Sequence, residues 1–361
     1  MKIGGYGVFS LSLAAVAAVS LAASVQARSG TQEAGAHRRV PPERFDPYLI
    51  TPLGTEAAAI DARGRAAVNQ GTYAYLFVPS SSNAASGSLV PLGTLGGNVS
   101  IARGINELGH VVGYSTLASG SYRPFLWNGA AMADVGTLGS DYGSGTGIDA
   151  VGRVVGSSYD ASHDEHAFLW TPERENGTAG DMIDLGTFGG EYSAALAVEG
   201  SVVVGYAYTP LGAFHAFRWA AGTMSDLGTL GGDYSRANAI GGHGKIVGEA
   251  YLPGNAQAHA CLWVGGAGQD LGNLGGDYSE ALGISPDGTR IVGRATVPSD
   301  SGYLEYHAFL REGGTMVDLN AFLPPSSGWV LDSAIGVNDR GQIVGAGTLG
   351  GQQSGFLLTP R

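Results

Sequence analysis

The hexapeptide Leu-Gly-Thr-Leu-Gly-Gly occurs at Leu92–Gly97 and returns unchanged at Leu227–Gly232. Close variants begin at residues 135, 185 and 271, and degenerate copies begin at Leu53 and Leu319. Successive copies start 39, 43, 50, 42, 44 and 48 residues apart, and 42 residues follow Leu319. A repeat of roughly 40–50 residues is typical of a four-stranded propeller blade. The chain therefore contains seven units, each about the length of one blade.

Four strand-like elements recur in order within each unit. The first has the pattern Ala-x-small-aliphatic-polar, as at Ala102–Asn106, and a glycine-containing turn follows it. The second is β-branched and ends in Val-Gly, the third is aromatic, as at His166–Trp170, and the fourth is short. β-Branched and aromatic residues punctuated by Gly, Asn and Asp indicate strands and hairpins. Small residues in the first element fit an innermost strand, where the blades converge.

The two ends of the repeat region favour a closed ring over a solenoid or a β-sandwich. The last unit has a third element at Gly355–Leu358 but no fourth. Residues 48–55 resemble a fourth element with no first three before it. Pairing one with the other would close the ring and remove both exposed sheet edges. We therefore predict an all-β fold, a seven-bladed β-propeller of four-stranded antiparallel blades spanning residues 46–361, with an N-terminal strand completing the last blade.

The triplet His-Ala-Phe recurs at His166–Phe168, His215–Phe217 and His307–Phe309. Together with the Asp-Leu-Gly-Thr-Leu-Gly-Gly-x-Tyr-Ser motif, it makes the chain resemble the bacterial extracellular HAF-repeat family from about residue 46 to residue 360. The resemblance implies export and repeat architecture, and it brings no catalytic residues. Two early units depart from the pattern, since the first has Asn69 where Gly is expected and the second has Arg123 in place of His.

The N-terminus reads as an export signal at residues 1–27, followed by a flexible linker at 28–45. Lys2 precedes an apolar, Ala-rich run, and Val25-Gln26-Ala27 fits the small-x-small cleavage pattern. A membrane anchor is the alternative, although serines interrupt the run. We expect a secreted or periplasmic protein with no integral membrane segment after cleavage.

Composition narrows the classes of partner and chemistry. The net charge of −12 argues against nucleic-acid binding, because phosphate backbones would be repelled. The single cysteine, Cys261, allows no internal disulfide and occupies the Phe position of its repeat, so we expect it to be buried and inert. We find no catalytic constellation and predict no cofactor and no metal site.

Four histidines begin the third element of their units: His166, His215, His259 and His307. Imidazole is a common metal ligand. However, one histidine per blade would hold these rings far apart, whereas a metal needs converging ligands. We therefore favour a structural role in which each ring bonds to a loop of its own blade.

An acid and an aromatic residue recur in the loop after the fourth element. The pairs are Asp141 and Tyr142, Glu191 and Tyr192, Asp233 and Tyr234, and Asp277 and Tyr278. Antiparallel topology would put these loops on the same face as the histidines. They form our candidate binding face for sugar stacking or cation capture; packing of the tyrosines between blades is the competing interpretation.

Three functions remain open. The first is a non-catalytic binding module that presents one loop face to an extracellular glycan or protein. The second is a glycan-acting hydrolase using loop carboxylates, and the third is a structural envelope scaffold. An enzyme would be expected to break the repeat with one or two unrepeated acids or histidines near the axis, whereas a scaffold would keep its units alike.

Overall fold

A computed structural model describes residues 48–298, 304–324 and 326–361. The predicted signal peptide and linker lie outside these described residues. The described chain forms strands β1 to β28, arranged in seven four-stranded antiparallel sheets. The described part contains one helix, a 3-10 turn at Leu319–Phe322. The predicted all-β, seven-bladed propeller is confirmed.

Blades 1 to 6 each use four consecutive strands. Blade 1 has β2 (Glu56–Ile60), β3 (Ala66–Gln70), β4 (Tyr73–Pro79) and β5 (Gly87–Pro91); blade 2 has β6 (Gly96–Ile105), β7 (Val111–Leu117), β8 (Tyr122–Trp127) and β9 (Met132–Asp134). Blade 3 has β10 (Gly139–Ile148), β11 (Val154–Asp160), β12 (Glu165–Pro172) and β13 (Gly180–Asp184); blade 4 has β14 (Ser193–Glu199), β15 (Val202–Tyr208), β16 (Phe214–Ala220) and β17 (Thr223–Asp226). Blade 5 has β18 (Ser235–Gly241), β19 (Lys245–Tyr251), β20 (Ala258–Val264) and β21 (Ala267–Asp270); blade 6 has β22 (Ser279–Ile284), β23 (Arg290–Pro298), β24 (Leu304–Glu312) and β25 (Thr315–Asp318).

Blade 7 joins the two ends of the repeat region. It consists of β26 (Trp329–Val337), β27 (Ile343–Leu349), β28 (Gln352–Pro360) and β1 (Tyr48–Pro52). β1 pairs antiparallel with β28, with Tyr48 opposite Pro360 and Pro52 opposite Phe356. The first strands of blades 7 and 1 also contact each other, as the first strands of all other neighbouring blades do. The predicted closure by an N-terminal strand is confirmed.

Small residues let the first strands converge at the centre of the ring. A Cβ added at Gly283 of blade 6 would lie 2.5 Å from the backbone oxygen of Ile335 in blade 7. Ala281, two residues before Gly283, is fully buried, and so is Ala237 at the equivalent position of blade 5. Larger side chains at these positions would push neighbouring blades apart.

The Val-Gly glycine of the second strand lies beside a bulge in the first strand. In blade 5 the register shifts between Ala237 and Ala239, and Ala237 faces Gly248. The same shift occurs in all seven blades. In blade 1 the register places Val68 at the glycine position, so our assignment of Asn69 to it is wrong by one residue. The first unit lacks both the Val-Gly pair and the His-Ala-Phe triplet that mark this position in other units.

The third strand supplies the largest buried side chains. Its Phe position is fully buried in blades 2, 3, 4, 6 and 7. Cys261 fills this position in blade 5 and is fully buried, as predicted. Burial raises the pKa of the Cys261 thiol to about 12, so it stays protonated and unreactive near neutral pH.

Antiparallel topology divides the connections between two faces of the ring. On the face that we call the loop face, fourth strands lead to the next blade and second strands lead to third strands. The two kinds of loop touch there, since the Gly190 N–H donates to the Tyr208 carbonyl. The opposite, turn face carries the tight connections, where Asn338 of blade 7 donates to the Asp61 carbonyl of blade 1 at 3.0 Å.

Candidate functional site

Each of the four repeated histidines donates a hydrogen bond from Nδ1 to an aspartate at the end of the fourth strand of its own blade. The pairs are His166 with Asp184 (2.8 Å), His215 with Asp226 (2.6 Å), His259 with Asp270 (2.9 Å) and His307 with Asp318 (2.7 Å). The second carboxylate oxygen can accept a turn N–H, as Asp226 does from Gly228 at 2.7 Å. The imidazole and the turn are thereby tied to the same carboxylate.

Blades that lack the histidine also lack this pair. The aspartate position, which faces the Phe position across the ladder, holds Pro91 in blade 1 and Pro52 in blade 7. The histidine positions of those blades hold Tyr73 and Ser354. In blade 2 the histidine is replaced by Arg123, which bonds instead to Asp141 at 3.1 Å. Blade 2 nevertheless keeps the aspartate as Asp134, which faces Phe125 and accepts a hydrogen bond from the Gly136 N–H at 2.8 Å. The histidine therefore occurs only in blades that have the aspartate, which fits a per-blade structural role.

The serine of the repeat motif ties neighbouring blades together. Ser235, at the start of blade 5, accepts a hydrogen bond from the Ala216 N–H of blade 4 at 2.9 Å and donates to the Gly228 carbonyl at 2.7 Å. Ser193 and Ser279 make the same two contacts one blade earlier and one blade later. Much of the repeat motif is thus accounted for by packing and turn formation.

The four predicted tyrosines divide into two groups. Tyr142 and Tyr192 are 42% and 43% exposed. Tyr234 is half-buried, packed 5.0 Å from Phe214 and 5.4 Å from Tyr251 between ring centroids. Tyr278 is half-buried and donates its hydroxyl to Glu249 at 2.7 Å. Tyr142 and Tyr192 also contact a ring, Tyr122 at 4.9 Å and Tyr208 at 5.7 Å between centroids, but they remain exposed on the surface.

The four predicted acids lie near the surface of the loop face. Asp141, Glu191, Asp233 and Asp277 are all exposed. Asp233 is held by Asn255, which donates to it at 2.6 Å. The structure does not bring these acids together: among the described residues, no group of three or more His, Cys, Asp or Glu side chains could hold a metal ion.

The largest departure from the repeat is a buried ionic network between blades 5 and 6, which sequence reasoning missed. Glu249 and Glu280 are only 4% and 2% exposed. Arg294 bonds to Glu280 through Nε at 3.0 Å and Nη2 at 2.9 Å. Arg236 lies 3.8 Å from Glu249 and 3.9 Å from Glu280. The Tyr278 hydroxyl lies between the two acids, 2.7 Å from Glu249 and 3.0 Å from Glu280, and can donate its one proton to either of them.

Burial governs the protonation of this network. Burial, reinforced by the charge of Glu280, raises the pKa of Glu249 to about 7, while Arg236 and the Tyr278 hydroxyl oppose the rise. Glu249 therefore carries a proton for part of the neutral pH range. Two acids this close with one raised pKa fit the unrepeated pair expected of an enzyme, but arginine, tyrosine and asparagine side chains already occupy their oxygens.

A register comparison could have found this network from the sequence. Arg236 faces Glu249 across blade 5, and Glu280 faces Arg294 across blade 6. In each blade, the first residue of the pair directly precedes the buried alanine of the first strand, and the second directly follows the Val-Gly glycine of the second strand. Other blades have uncharged pairs there, such as Ser144 and Ser157, except that blade 1 has Glu56 and Asn69. Charged residues at a strand position that is uncharged in most other blades therefore indicate the network in the sequence.

Two cavities lie on the loop face. One, of about 260 Å³, is formed in blade 3 by Asp141, Tyr142, Asp160, His163 and their neighbours. The other, of about 400 Å³, lies between blades 6 and 7 and is lined by Arg294, Glu305, Tyr306, Val330, Asp332 and Ser333. Both are open to solvent and can admit a small polar molecule. The first contains one predicted pair, and the second contains none of the predicted residues.

These observations define the class of the protein as a seven-bladed β-propeller with a loop-bearing face. No family model and no curated protein matches the sequence. Its fold is similar to TolB from Acinetobacter baumannii, at 10% identity and a TM-score of 0.43, covering 79% of this chain and 59% of that one. It is also similar to a putative TolB from Agrobacterium tumefaciens, at 11% identity and a TM-score of 0.42, covering 86% and 90%.

A third similar structure is a puromycin-hydrolyzing peptidase from Mycobacterium tuberculosis, at 13% identity and a TM-score of 0.48, covering 83% of this chain and 48% of that one. The chain thus spans 59% of the Acinetobacter structure and about half of the peptidase. In the described part of the chain, no helix is both long and apolar enough to cross a membrane.

Proposed function

We propose that this chain is an exported member of the HAF-repeat family that acts as a non-catalytic binding module. Its loop face would engage a glycan or protein partner in the periplasm or outside the cell. The N-terminal signal pattern supports export, and the repeat motif supports the family assignment. The repeated His–Asp pairs and serine braces support a rigid scaffold beneath that face.

The observation that carries this proposal is the distribution of exposed apolar side chains. Among the described residues, eleven large hydrophobic side chains are exposed. Six of them lie on the loop face: Tyr73, Tyr142, Tyr192, Leu211, Tyr306 and Val330. The turn face has two, Leu108 and Val264. Apolar side chains exposed at the loop-bearing end of a rigid scaffold are well placed to bind a partner.

A glycan array tests the proposal directly. The mature chain, residues 28–361, is compared with a loop-face triple variant (Tyr142→Ser, Tyr192→Ser, Tyr306→Ser) and a turn-face double variant (Leu108→Ser, Val264→Ser). We expect the wild type and the turn-face variant to bind the same glycans, and the loop-face variant to lose at least tenfold in affinity. Matched thermal melts establish that both variants are folded.

Three other results would distinguish a protein partner, a hydrolase and a different binding surface. A blank array, together with one envelope protein captured by the wild type and the turn-face variant but not by the loop-face variant, supports the protein-binding form. Hydrolysis of chromogenic glycosides by the purified chain would overturn the non-catalytic assignment in favour of the hydrolase. Binding that survives the loop-face substitutions would show that the wrong surface has been identified.

A further inference from the structure

We propose that the cavity between blades 6 and 7 is a carbohydrate subsite for a neutral or amino-bearing sugar residue. This inference rests on the proposed function and gives it a place and a ligand class. The cavity, of about 400 Å³, falls within the usual size range of small-molecule sites. Its lining combines an aromatic ring, two carboxylates and a hydroxyl, which are groups that stack on sugar rings and accept or donate hydrogen bonds to their hydroxyls.

The cavity lies where a short residue of blade 7 leaves an aromatic ring of blade 6 uncovered. Between blades 4 and 5, the Arg236 guanidinium lies over the rings of Tyr206 and Phe214, 5.1 and 5.8 Å from their centroids. The residue of blade 7 at the position of Arg236 is Ser333, because both lie just before the buried first-strand alanine. Ser333 is too short to cover the ring of Tyr306, which stands at the position of Phe214.

Tyr306 is held as a fixed platform. Its ring is 42% exposed, and Tyr278 packs against it edge-on, at 5.8 Å between centroids and 84° between planes. The guanidinium of Arg294 lies 5.0 Å from its centroid. Arg294 is itself fixed by Glu280 in the buried network. The unrepeated network thus positions an exposed aromatic ring, and little conformational freedom remains to be lost on binding.

Asp332 is an inserted residue directed at this cavity. The register of blade 7 shifts between Leu331 and Ser333, so Asp332 is the extra residue of a bulge, whereas Ser279 and Glu280 are paired consecutively in blade 6. Bulges commonly re-aim a side chain next to a site. Asp332 is half-buried, lines the cavity and makes no hydrogen bond to another described residue. Its carboxylate is therefore available to accept hydrogen bonds from vicinal hydroxyls.

Charge selects the kind of sugar. The positive charge of Arg294 is neutralised by Glu280. The lining then keeps two carboxylates, Asp332 and the exposed Glu305, while the His307 imidazole acts on Asp332 from beside the cavity. A uronic or sialic acid would be repelled, whereas a neutral sugar or an amino sugar would be accepted.

The test is a monosaccharide panel read by saturation-transfer NMR and by calorimetry on the mature chain. The panel contains glucose, galactose, mannose, glucosamine, glucuronic acid and N-acetylneuraminic acid. We expect saturable binding of at least one neutral or amino sugar and none of either acid. Tyr306→Ala and Asp332→Asn should each weaken binding at least tenfold. Ser333→Arg, which copies the filled arrangement at Arg236, should abolish it.

Val264→Ala is the control, because Val264 is also exposed but lies on the turn face, away from both loop-face cavities. It should change affinity less than twofold. Loss of sugar binding with Tyr142→Ala but not with Tyr306→Ala would overturn the subsite and leave the proposed function intact. Equal binding of glucuronic acid would overturn the charge argument. No sugar binding together with a loop-face protein partner would overturn this inference alone.

Discussion

The protonation of Glu249 is the clearest pH-sensitive feature at the scale of single residues. In the unfolded chain this carboxyl has an ordinary pKa, whereas burial raises the pKa of the folded state to about 7. A raised folded-state pKa favours folding below the unfolded value, near 4.5. That contribution is lost as the pH rises through 7, when the folded chain must hold a second buried carboxylate beside Glu280.

Wild-type stability should fall between pH 4.5 and pH 7, and Glu249→Gln should remove that fall. At pH 8 the variant should be more stable than the wild type by about 3 kcal/mol. Urea unfolding at several pH values measures the difference. Glu280→Gln is the control; it should destabilise the protein at both pH 5 and pH 8, because it leaves the half-buried Arg294 without its carboxylate. Parallel pH profiles for wild type and Glu249→Gln would contradict the assignment.

The His–Asp pair of blade 6 makes a second residue-scale prediction. The hydrogen bond from His307 to Asp318 raises the pKa of the imidazole against the opposing effect of burial. Asp318→Asn keeps the oxygen that caps the following turn but removes the charge, so the pKa of His307 should fall. NMR titration of the imidazole proton measures this pKa. Asp277→Asn is the matched control, because Asp277 is an exposed acid in the loop that leads into the same blade. An unchanged pKa of His307 in Asp318→Asn would show that Asp318 does not raise it.

At the scale of elements, each blade depends on a glycine beside a bulge. A Cβ on Gly248 would overlap the carbonyl oxygen of Arg236 in the adjacent first strand. Gly248 is not at positive φ, so the requirement comes from space and not from backbone conformation. The Val-Gly glycine therefore recurs because the first two strands approach too closely at the bulge to leave room for a Cβ.

Gly248→Ala should accordingly destabilise the protein by about 3 kcal/mol, through overlap in a packed interior. Gly265→Ala is the comparison in the same blade, since Gly265 has φ +64° with nothing within 4 Å of an added Cβ. It should cost about 1 kcal/mol, from backbone strain alone. Denaturant unfolding of both variants gives the two values, and equal losses would show that strand spacing is not the constraint.

At the scale of the whole molecule, stability depends on β1 completing blade 7. β1 covers the edge of β28, and Leu53, directly after it, is buried at 4% exposure. The ring has no disulfide, so this pairing and the contacts between blades hold its ends together. Without β1, the chain would present an unpaired edge strand.

Removing residues 46–54 should lower the melting temperature by about 10 °C or more. The measurement compares a chain of residues 55–361 with one of residues 46–361, so that the predicted signal and linker are absent from both. Added peptide 46–54 should restore part of the loss. A melt indistinguishable from that of the longer chain would mean that the closing strand contributes little to the ring.

Identical motifs acquire different roles in the assembled ring. Tyr192 and Tyr234 occupy the same motif position, and each packs against the tyrosine that ends the second strand of the blade that follows it, Tyr208 or Tyr251. Only Tyr234 is also covered by Phe214, and Tyr192 stays exposed. The neighbours that decide this come from other strands and differ between blades. The sequence could therefore nominate these tyrosines as candidates but could not separate surface residues from packing residues.

The sequence by itself determined the number of blades, the order of strands within each blade and the strand that closes the ring. These follow from patterns that repeat along the chain, because each unit carries its own turns, its own buried Phe position and its own small inner residues. The charged residues of the ionic network are visible in the sequence once the strands are paired, whereas the tertiary structure alone decided the cavity beside Tyr306. The cavity depends on how Tyr306 and Arg294 of blade 6 meet Asp332 and Ser333 of blade 7, and a one-residue bulge in blade 7 places Asp332 there. Units that vary in length from 39 to 50 residues hide such a bulge until the strands are paired.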